Sequence, residues 1–410
     1  LAGTQGNMNH KKTDRLLHIV GEQKLPVVWY AEGGGGRPGD TDGTGVAGLD
    51  VTTFGKFAEL SGEVPKIAIV AGRCFAGNAA IAGLSEIIIA TKDSNLGMGG
   101  PAMIEGGGLG VFKPDDIGPS NVQWANGVID ILADDEAHAT ALAKLAMSTF
   151  QGKVAHWTAA DQRDLRRAIP ENRLRVYDIR PLIETLADDG SFLELRRGFA
   201  AGMITGFIRI EGRPMGLIAN DPRHLGGAID CDGAEKCARF LQLCDAFDLP
   251  VLSLCDTPGF MVGPDSEAAG AVRRVSRQFI AGAKLGTPLM CIVLRKGYGL
   301  GAQAMAGGGF HAPIFIASWP TGEFGGMGLE GAVKLGYSKE LAAETDPEKN
   351  KALYDQLVGR LYAAGKATSM AAALEIDAVI DPAETRRWVV RGLDSCPPRK
   401  RPSRGWVDAW

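Results

Sequence analysis

Two glycine turns are the parts of this sequence best suited to chemistry. Gly77 and Gly301 each follow a short apolar run, and each precedes a run of small residues that favours a helix. Backbone N–H groups at such a strand-to-helix turn are fixed hydrogen-bond donors in a positive local field. They can hold a phosphate, or they can stabilise the negative oxygen of an enolate as it forms. The sequence therefore offers a site whose chemistry depends on the backbone.

Side chains that usually act as nucleophiles or metal ligands are not arranged for either task. The sequence has no G-x-S-x-G elbow, no G-x-x-x-x-G-K-[S/T] phosphate loop and no C-x-x-C pair. A pattern close to a dinucleotide fingerprint begins at Gly299, but the next apolar run ends at Ser318 without an acid for a ribose. No metal is expected, and oxyanion stabilisation fits the turns best. The six histidines, at no metal-ligand spacing, are His10, His18, His138, His156, His224 and His311.

Composition and charge exclude several classes of protein. The chain has 410 residues, 45% hydrophobic and 22% charged, so two or three globular domains are expected. Lys and Arg number 44 against 48 Asp and Glu, which argues against a nucleic-acid partner. No apolar run reaches the roughly 18 residues of a membrane span, so no membrane partner is expected. Seven cysteines without a pairing pattern indicate a reducing compartment, the cytoplasm.

The sequence contains an internal repeat, and its two copies predict the elements that position the turns. The apolar run at residues 25–30, with the glycine-rich stretch after it, matches residues 249–254 and the stretch after them at an offset of 224. The run before Gly77 matches the run before Gly301 at the same offset. Short apolar runs that alternate with helical segments predict an α/β fold with a parallel sheet in each half.

A charged segment, broken by a proline, separates the two copies at residues 161–175. Such a composition is typical of a domain boundary, which we place near Pro170. The prediction is a first domain over residues 1–170 and a second domain over residues 171–410. The basic, proline-rich residues 397–404 are expected to form a solvated end of the chain.

In these residues the sequence resembles the carboxyltransferase component of biotin-dependent acyl-CoA carboxylases, of the propionyl-CoA/acetyl-CoA carboxylase β type. The resemblance covers nearly the whole chain and is strongest at residues 206–216, 244–250, 256–260, 295–299 and 318–323. The family implies two tandem crotonase-like (ClpP/crotonase) halves of the βαβ-superhelix type, which agrees with the repeat. It also implies that an acyl-CoA binds to the first half, and carboxybiotin to the second half of a neighbouring subunit.

The resemblance implies a reaction in which the substrates supply most of the reactive groups. Carboxybiotin would release CO₂, the biotin ureido nitrogen would remove the α-proton of the thioester, and the enolate would attack CO₂. The N–H groups of Gly77 and Asn78 would hold the thioester oxygen, and those of Leu300 and Gly301 the ureido oxygen. The repeat at an offset of 224 would equally allow Ala76 with Gly77 as the first pair.

Further contacts to the substrates are expected from the loops around the turns. The candidate residues are Gly33, Gly34, Gly35, Gly36, Arg37, Arg73, Gly99, Gly100, Gly107, Gly259, Phe260 and Tyr298. Arg37 and Arg73 are also candidates for binding CoA phosphates, together with Lys11 and Lys12. The glycines at residues 106–108 replace a different stretch in the short-chain enzymes. They favour a medium- or long-chain acyl group and a single-chain, multidomain parent.

The sequence contains no biotin attachment motif and no ATP-binding domain. A biotin carboxyl carrier and a biotin carboxylase are therefore expected as partner domains or subunits, with biotin attached outside this segment and a coenzyme A thioester as substrate. The resemblance implies a homo-oligomer, a dimer at least and typically a hexamer. Two alternatives stay open: a biotin-linked decarboxylase or other crotonase-fold acyl-CoA enzyme, and a non-catalytic assembly module.

Overall fold

The computed structural model describes residues 2–37, 39–40, 48–397 and 405–410 of the chain. Most of the predicted basic end, residues 398–404, lies outside the described residues. The first half consists of α1 (Asn7–Gln23), β1 (Val27–Tyr30), α2 (Thr53–Glu59), β2 (Lys66–Val70), β3 (Arg73–Phe75), α3 (Gly77–Gly83), β4 (Ile87–Thr91), β5 (Asn95–Gly97), α4 (Pro101–Gly106), α5 (Ser120–Ala125), β6 (Ile131–Ala133) and α6 (Glu136–Thr149).

The second half repeats this alternation with additional strands and helices. Its elements are α7 (Arg180–Leu186), β7 (Leu193–Leu195), β8 (Met203–Ile210), β9 (Arg213–Asn220), α8 (Cys231–Ala246), β10 (Val251–Thr257), α9 (Pro264–Ala268), α10 (Ala271–Lys284), β11 (Leu289–Tyr298), α11 (Gly299–Met305), β12 (Phe315–Ser318), β13 (Glu323–Gly325), α12 (Leu329–Gly336), α13 (Ser338–Ala343), α14 (Pro347–Ala364), α15 (Ala367–Ala372), β14 (Ala378–Val379) and α16 (Thr385–Ser395). None of the described helices is both long and apolar enough to span a membrane.

The strands form two large sheets, one in each half. The first sheet is parallel, in the order β1-β2-β4-β6, and the short β3 pairs with β5 beside it. In the second sheet β9, β10, β11, β12 and β14 are parallel, and β13 pairs with the end of β11. The prediction of an α/β fold with parallel strands is confirmed. The antiparallel strands β7, β8 and β9 make the second sheet mixed.

The offset between the two copies changes by one residue along the chain. Val28 on β1 pairs with Ile67 on β2, and Leu252 on β10 pairs with Met290 on β11. The first members of these pairs are 224 residues apart, but the second members are 223 apart. A constant offset of 224 is therefore wrong beyond the first strand of each half. The connection between the two strands is one residue longer in the first half.

One hydrophobic cluster extends from the first sheet into the second, with α6 and α8 contributing to it. Phe150, just after α6, packs edge-on against Phe207 of β8, with ring centroids 5.6 Å apart. Leu165 and Ile169 precede the predicted boundary, and both pack into the core of the second half. Apolar side chains from the two halves thus share buried surface, which holds the two sheets in a fixed relation.

Candidate active site

The first turn, residues 76–78, connects β3 to α3. Ala76 has φ 52° and ψ −120°, and its N–H donates to the carbonyl oxygen of Gly97 at 3.0 Å. The next two N–H groups, those of Gly77 and Asn78, are at the start of α3, where an intrahelical acceptor is impossible. Within the described residues neither of them has a hydrogen-bond partner. The first turn thus presents the N–H pair of Gly77 and Asn78, since that of Ala76 is already used.

The glycine run at residues 33–36 lies directly against the first turn. Gly33 forms a parallel bridge with Cys74 on β3. The Asn78 side chain accepts a hydrogen bond from the Gly35 N–H at 3.0 Å and donates to the Glu32 carbonyl oxygen, also at 3.0 Å. A Cβ on Gly35 would lie 2.5 Å from the Cβ of Ala76, so only glycine permits this approach. The structure brings these sequence-predicted residues together.

Gln5 is a residue of this region that no motif or spacing in the sequence singles out. Its N–H donates to the Gly35 carbonyl oxygen at 2.7 Å, and its own carbonyl oxygen accepts from the Arg37 N–H at 2.8 Å. Its side chain reaches the first turn, where a Cβ on Gly77 would lie 2.3 Å from Gln5 Oε1 and 3.1 Å from Phe54 Cζ. The repeat pairs position 5 with position 229, but Gln5 and Ile229 have nothing chemical in common.

The second turn, residues 299–301, connects β11 to α11. Gly299 has φ +56°, which makes it the structural equivalent of Ala76. The pair Leu300 and Gly301 therefore corresponds to Gly77 and Asn78, at an offset of 223. A Cβ on Gly301 would lie 2.7 Å from Gly259 Cα, so two backbones touch here without side chains between them. The Leu300 side chain is exposed, so the second turn is at the surface.

A buried polar network lies beneath the second turn. The Tyr298 hydroxyl donates to Glu323 Oε1 at 2.8 Å, and Arg173 Nη1 lies 3.5 Å from the same oxygen. Arg173 also binds Glu330 of α12, at 2.6 Å. Burial raises the pKa of the Glu323 carboxyl, and the hydrogen bond from Tyr298 and the charge of Arg173 partly offset this increase. Tyr298 thus lies under the turn, with its hydroxyl bound to a carboxylate.

The remaining loop residues surround the turns at different distances. Ile229 donates its N–H to the Gly259 carbonyl oxygen at 3.0 Å and forms a parallel bridge with Phe260. Gly100 precedes α4, and a Cβ there would lie 3.4 Å from the Phe75 ring, next to the first turn. Gly99 packs against Met103, whereas Gly107 follows the last turn of α4.

The basic candidates all lie at the surface of the first half. Arg73 forms an exposed ion pair with Asp115 at 3.0 Å. Arg37 donates to the Thr4 carbonyl oxygen at 3.1 Å. Lys11 and Lys12 are exposed on α1. Lys11, Lys12 and Arg73 are therefore accessible to an anionic ligand, whereas Arg37, which directly follows the glycine run, is 25% exposed and pairs with Asp40 at 3.6 Å.

Neither a reactive thiol nor a metal cluster lies in the described part of the chain. Burial raises the pKa of the thiols of Cys74, Cys237 and Cys291 to about 12, which keeps them protonated near neutral pH. Cys237 and Cys244, seven residues apart, are both buried on α8. The described residues contain no group of three His, Cys, Asp or Glu side chains that could hold a metal ion.

Comparison with known proteins identifies relatives along the whole chain. A family model described as a carboxyl transferase domain matches residues 1–405. The 12S subunit of methylmalonyl-CoA carboxyltransferase from Propionibacterium freudenreichii subsp. shermanii is 31% identical over 96% of this chain and 76% of that protein. The β6 subunit of the biotin-dependent acetyl-/propionyl-coenzyme A carboxylase of Mycobacterium tuberculosis is 33% identical over 92% of this chain and 80% of that protein.

Solved structures show the same similarity. A single-chain, multi-domain long-chain acyl-CoA carboxylase matches with a TM-score of 0.89 and 57% identity over 95% of this chain. This chain spans 38% of the length of that protein. A transcarboxylase 12S structure, described as a hexamer with methylmalonyl-coenzyme A bound, matches with a TM-score of 0.84 and 28% identity. It aligns with 98% of this chain and 79% of its own.

Proposed function

The chain belongs to the carboxyl transferase family, and we propose that it moves a carboxyl group from biotin on a carrier to the α-carbon of an acyl-CoA. The observation that carries this proposal is the pair of equivalent turns, each with two N–H donors. A reaction that passes through an enolate needs such donors and no nucleophilic side chain. The described residues near the turns offer donors of this kind and no reactive thiol.

The first turn would act on the thioester. The N–H groups of Gly77 and Asn78 would donate to the thioester oxygen and stabilise the charge that develops on it when the α-proton leaves. The hydrogen bonds of the Asn78 side chain to Gly35 and Glu32 hold the turn in place. Such preorganised donors need no rearrangement during the reaction, which favours the enolate over the ground state.

The second turn would hold the carboxyl donor. The group fits because the Gly301 backbone packs directly on that of Gly259, so no side chain lies between the two loops at the exposed second turn. Biotin, when bound, supplies the carboxyl group and a ureido nitrogen that accepts the α-proton. The N–H groups of Leu300 and Gly301 would bind its ureido oxygen and orient the ring.

We extend the proposal to a medium- or long-chain acyl group. The segment that follows β5, which includes α4, exposes a set of large apolar side chains: Met98, Met103, Leu109, Val111 and Phe112. An exposed apolar group of this kind can cover a hydrocarbon chain. The 57% identity to a long-chain acyl-CoA carboxylase supports the same assignment.

The partners follow from the proposed reaction. A biotin carboxyl carrier and a biotin carboxylase must supply the donor, either as domains of a longer chain or as subunits. A homo-oligomer, a dimer at least and a hexamer as in the 12S relative, would place the first turn of one copy against the second turn of another. The cytoplasm stays the predicted location.

The test is the reverse reaction with the purified protein. Malonyl-CoA, methylmalonyl-CoA and long-chain 2-carboxyacyl-CoA are incubated with and without free biocytin, and loss of the carboxyl group is measured. We expect loss that depends on biocytin and is fastest with a long acyl chain. Loss without biocytin would favour a decarboxylase, and preference for a three-carbon acyl group would contradict the long-chain assignment. No loss with any ester would favour the assembly module.

A further inference from the structure

The carboxamide of Gln5 lies at the first turn, and no described residue forms a hydrogen bond with it. The Gln5 residue is 9% exposed, and within the described residues its side chain makes no hydrogen bond. Leaving a buried amide without a partner costs free energy, so native structures almost always satisfy such groups through protein, water or ligand. The Gln5 amide atoms are not among the fully buried atoms without a partner, so water reaches them, and a ligand at the first turn can take the place of that water.

Two backbone hydrogen bonds to the glycine run and Arg37 fix the main chain of Gln5 next to the first turn. The Gln5 N–H donates to Gly35 at 2.7 Å, and the Gln5 carbonyl accepts from Arg37 at 2.8 Å. A Cβ on Gly77 would lie 2.3 Å from Gln5 Oε1, so the side-chain oxygen is directly next to the turn. The carboxamide thus lies beside one of the two N–H groups that we assign to the thioester oxygen.

The second half shows what the same position looks like without this group. Ile229 occupies the equivalent position, with the same pair of backbone hydrogen bonds to Gly259 and Met261. Ile229 is 2% exposed and belongs to the hydrophobic core. The backbone of the repeat therefore does not require a polar side chain at this point, and the carboxamide in the first half is an addition that packing does not explain.

We propose that Gln5 is a substrate-binding residue of the first half, whose side-chain amide donates a hydrogen bond to an oxygen of the bound CoA ester next to its thioester. This inference rests on the proposed function for the identity of the ligand. A carboxamide carries two N–H donors as well as an acceptor oxygen. Two oxygens of the ester have the required chemistry, the carboxylate of the 2-carboxyacyl product and an amide carbonyl of the pantetheine arm.

The test compares three variants by equilibrium binding and by turnover. Gln5→Met keeps the length of the side chain and removes its polar atoms. Gln5→Glu keeps the shape but replaces the donors by acceptors and adds a negative charge. Ile229→Met introduces the same residue at the equivalent position of the second half and is the matched control. Binding of acyl-CoA and of 2-carboxyacyl-CoA is measured by titration calorimetry, with the melting temperature as a check on folding.

We expect Gln5→Met and Gln5→Glu to raise the Kd of a CoA ester about tenfold, the size of effect that one lost hydrogen bond produces. Ile229→Met should leave it unchanged. An effect confined to the 2-carboxyacyl ester identifies the carboxylate as the acceptor, and an equal effect on both esters identifies the pantetheine carbonyl. If Gln5→Met fails to fold, Gln5→Leu, which also has no polar atoms, replaces it, because the charge of Gln5→Glu would by itself repel an anionic ester.

Binding separates this inference from the proposed reaction. Weaker binding in the Gln5 variants without any biocytin-dependent turnover in the wild type would support the site and contradict the reaction. Normal turnover in the wild type, with unchanged Kd in Gln5→Met and Gln5→Glu, would overturn the role of Gln5 and leave the reaction intact. A wild-type protein that binds no CoA ester would overturn both.

Discussion

At the first turn the position with positive φ holds Ala76, and at the second turn it holds Gly299. A side chain at φ 52° and ψ −120° is strained, so the first turn keeps a conformation that its residue disfavours. Asn78 then links the first turn to the glycine run through its side chain. Gly301, its equivalent, has no side chain and touches the backbone of Gly259 instead.

The residues beneath the two turns differ as well. By strand register, Phe75 in the first half corresponds to Tyr298 in the second. Asn95 corresponds to Glu323 in the same way. The second turn therefore rests on an ionisable network that Arg173 completes, whereas the equivalent positions of the first turn are uncharged. The two turns thus have the same backbone conformation but different supports. Hydrogen bonds from the Asn78 side chain hold the first turn, whereas the second turn packs on the Gly259 backbone above an ionisable network.

The largest effect is expected from a side chain at position 301. In Gly301→Val the Cβ would lie 2.7 Å from Gly259 Cα, which must displace the second turn. We expect biocytin-dependent turnover to fall about a hundredfold or more, the range for loss of an oxyanion donor. Gly359→Val, on α14 where a Cβ would meet nothing within 4 Å, is the matched control. Turnover at the wild-type rate in a folded Gly301→Val protein would contradict the role of this turn.

The next effect concerns the side-chain hydrogen bonds of Asn78, which the second turn does not have. Asn78→Ala removes the hydrogen bonds to the Gly35 N–H and the Glu32 carbonyl oxygen. We expect kcat/KM for the CoA ester to fall about tenfold, because a buried donor and acceptor lose their partner. The KM for biocytin should not change. A loss shared equally by both substrates would show that the two turns are not separate sites.

Exchanging the residues at the strained position tests the backbone directly. Ala76→Gly should raise the free energy of unfolding by about 1 kcal/mol, since glycine adopts this conformation without strain. Gly299→Ala should lower it by at least as much, because a Cβ there would lie 2.8 Å from the Gly326 carbonyl oxygen. Chemical denaturation measures both. Changes of the same sign in the two variants would contradict the equivalence of Ala76 and Gly299.

The smallest effect is a dependence on pH that only the second turn should show. Burial raises the pKa of Glu323 above 4.5, so the folded state binds its proton more tightly than the unfolded state. Wild-type stability should therefore fall relative to Glu323→Gln as the pH rises from 4.5 through the folded pKa. Denaturation of both proteins between pH 4.5 and 8 measures this difference. The control is Glu340→Gln, an exposed glutamate on α13 outside this network. A stability difference between wild type and Glu323→Gln that shifts the other way with rising pH would refute the assignment.

The sequence alone determined the class of fold and the location of the turns. Buried strands such as β2 and β4 are short, continuous apolar runs, and this pattern can be recognised without any knowledge of their neighbours. The repeat and the motifs of the second half were sufficient to indicate the carboxyl transferase family. The glycine run at residues 33–36 was also recognised, and the structure places it against Asn78.

The tertiary structure decided which residues surround each turn. The offset of 224 left Ala76 open as a donor, and only the hydrogen bond from its N–H to Gly97 showed that this group is used. Gln5 is far from Gly77 in sequence, and only the structure places its side chain at the first turn. The sequence does not show which way Tyr298 points, and in the structure its hydroxyl binds Glu323. The apolar pattern of a strand is a local property, so it can be read from the sequence. Contacts between residues about 70 positions apart depend on packing and on loop lengths, and one loop length differs by one residue between the halves.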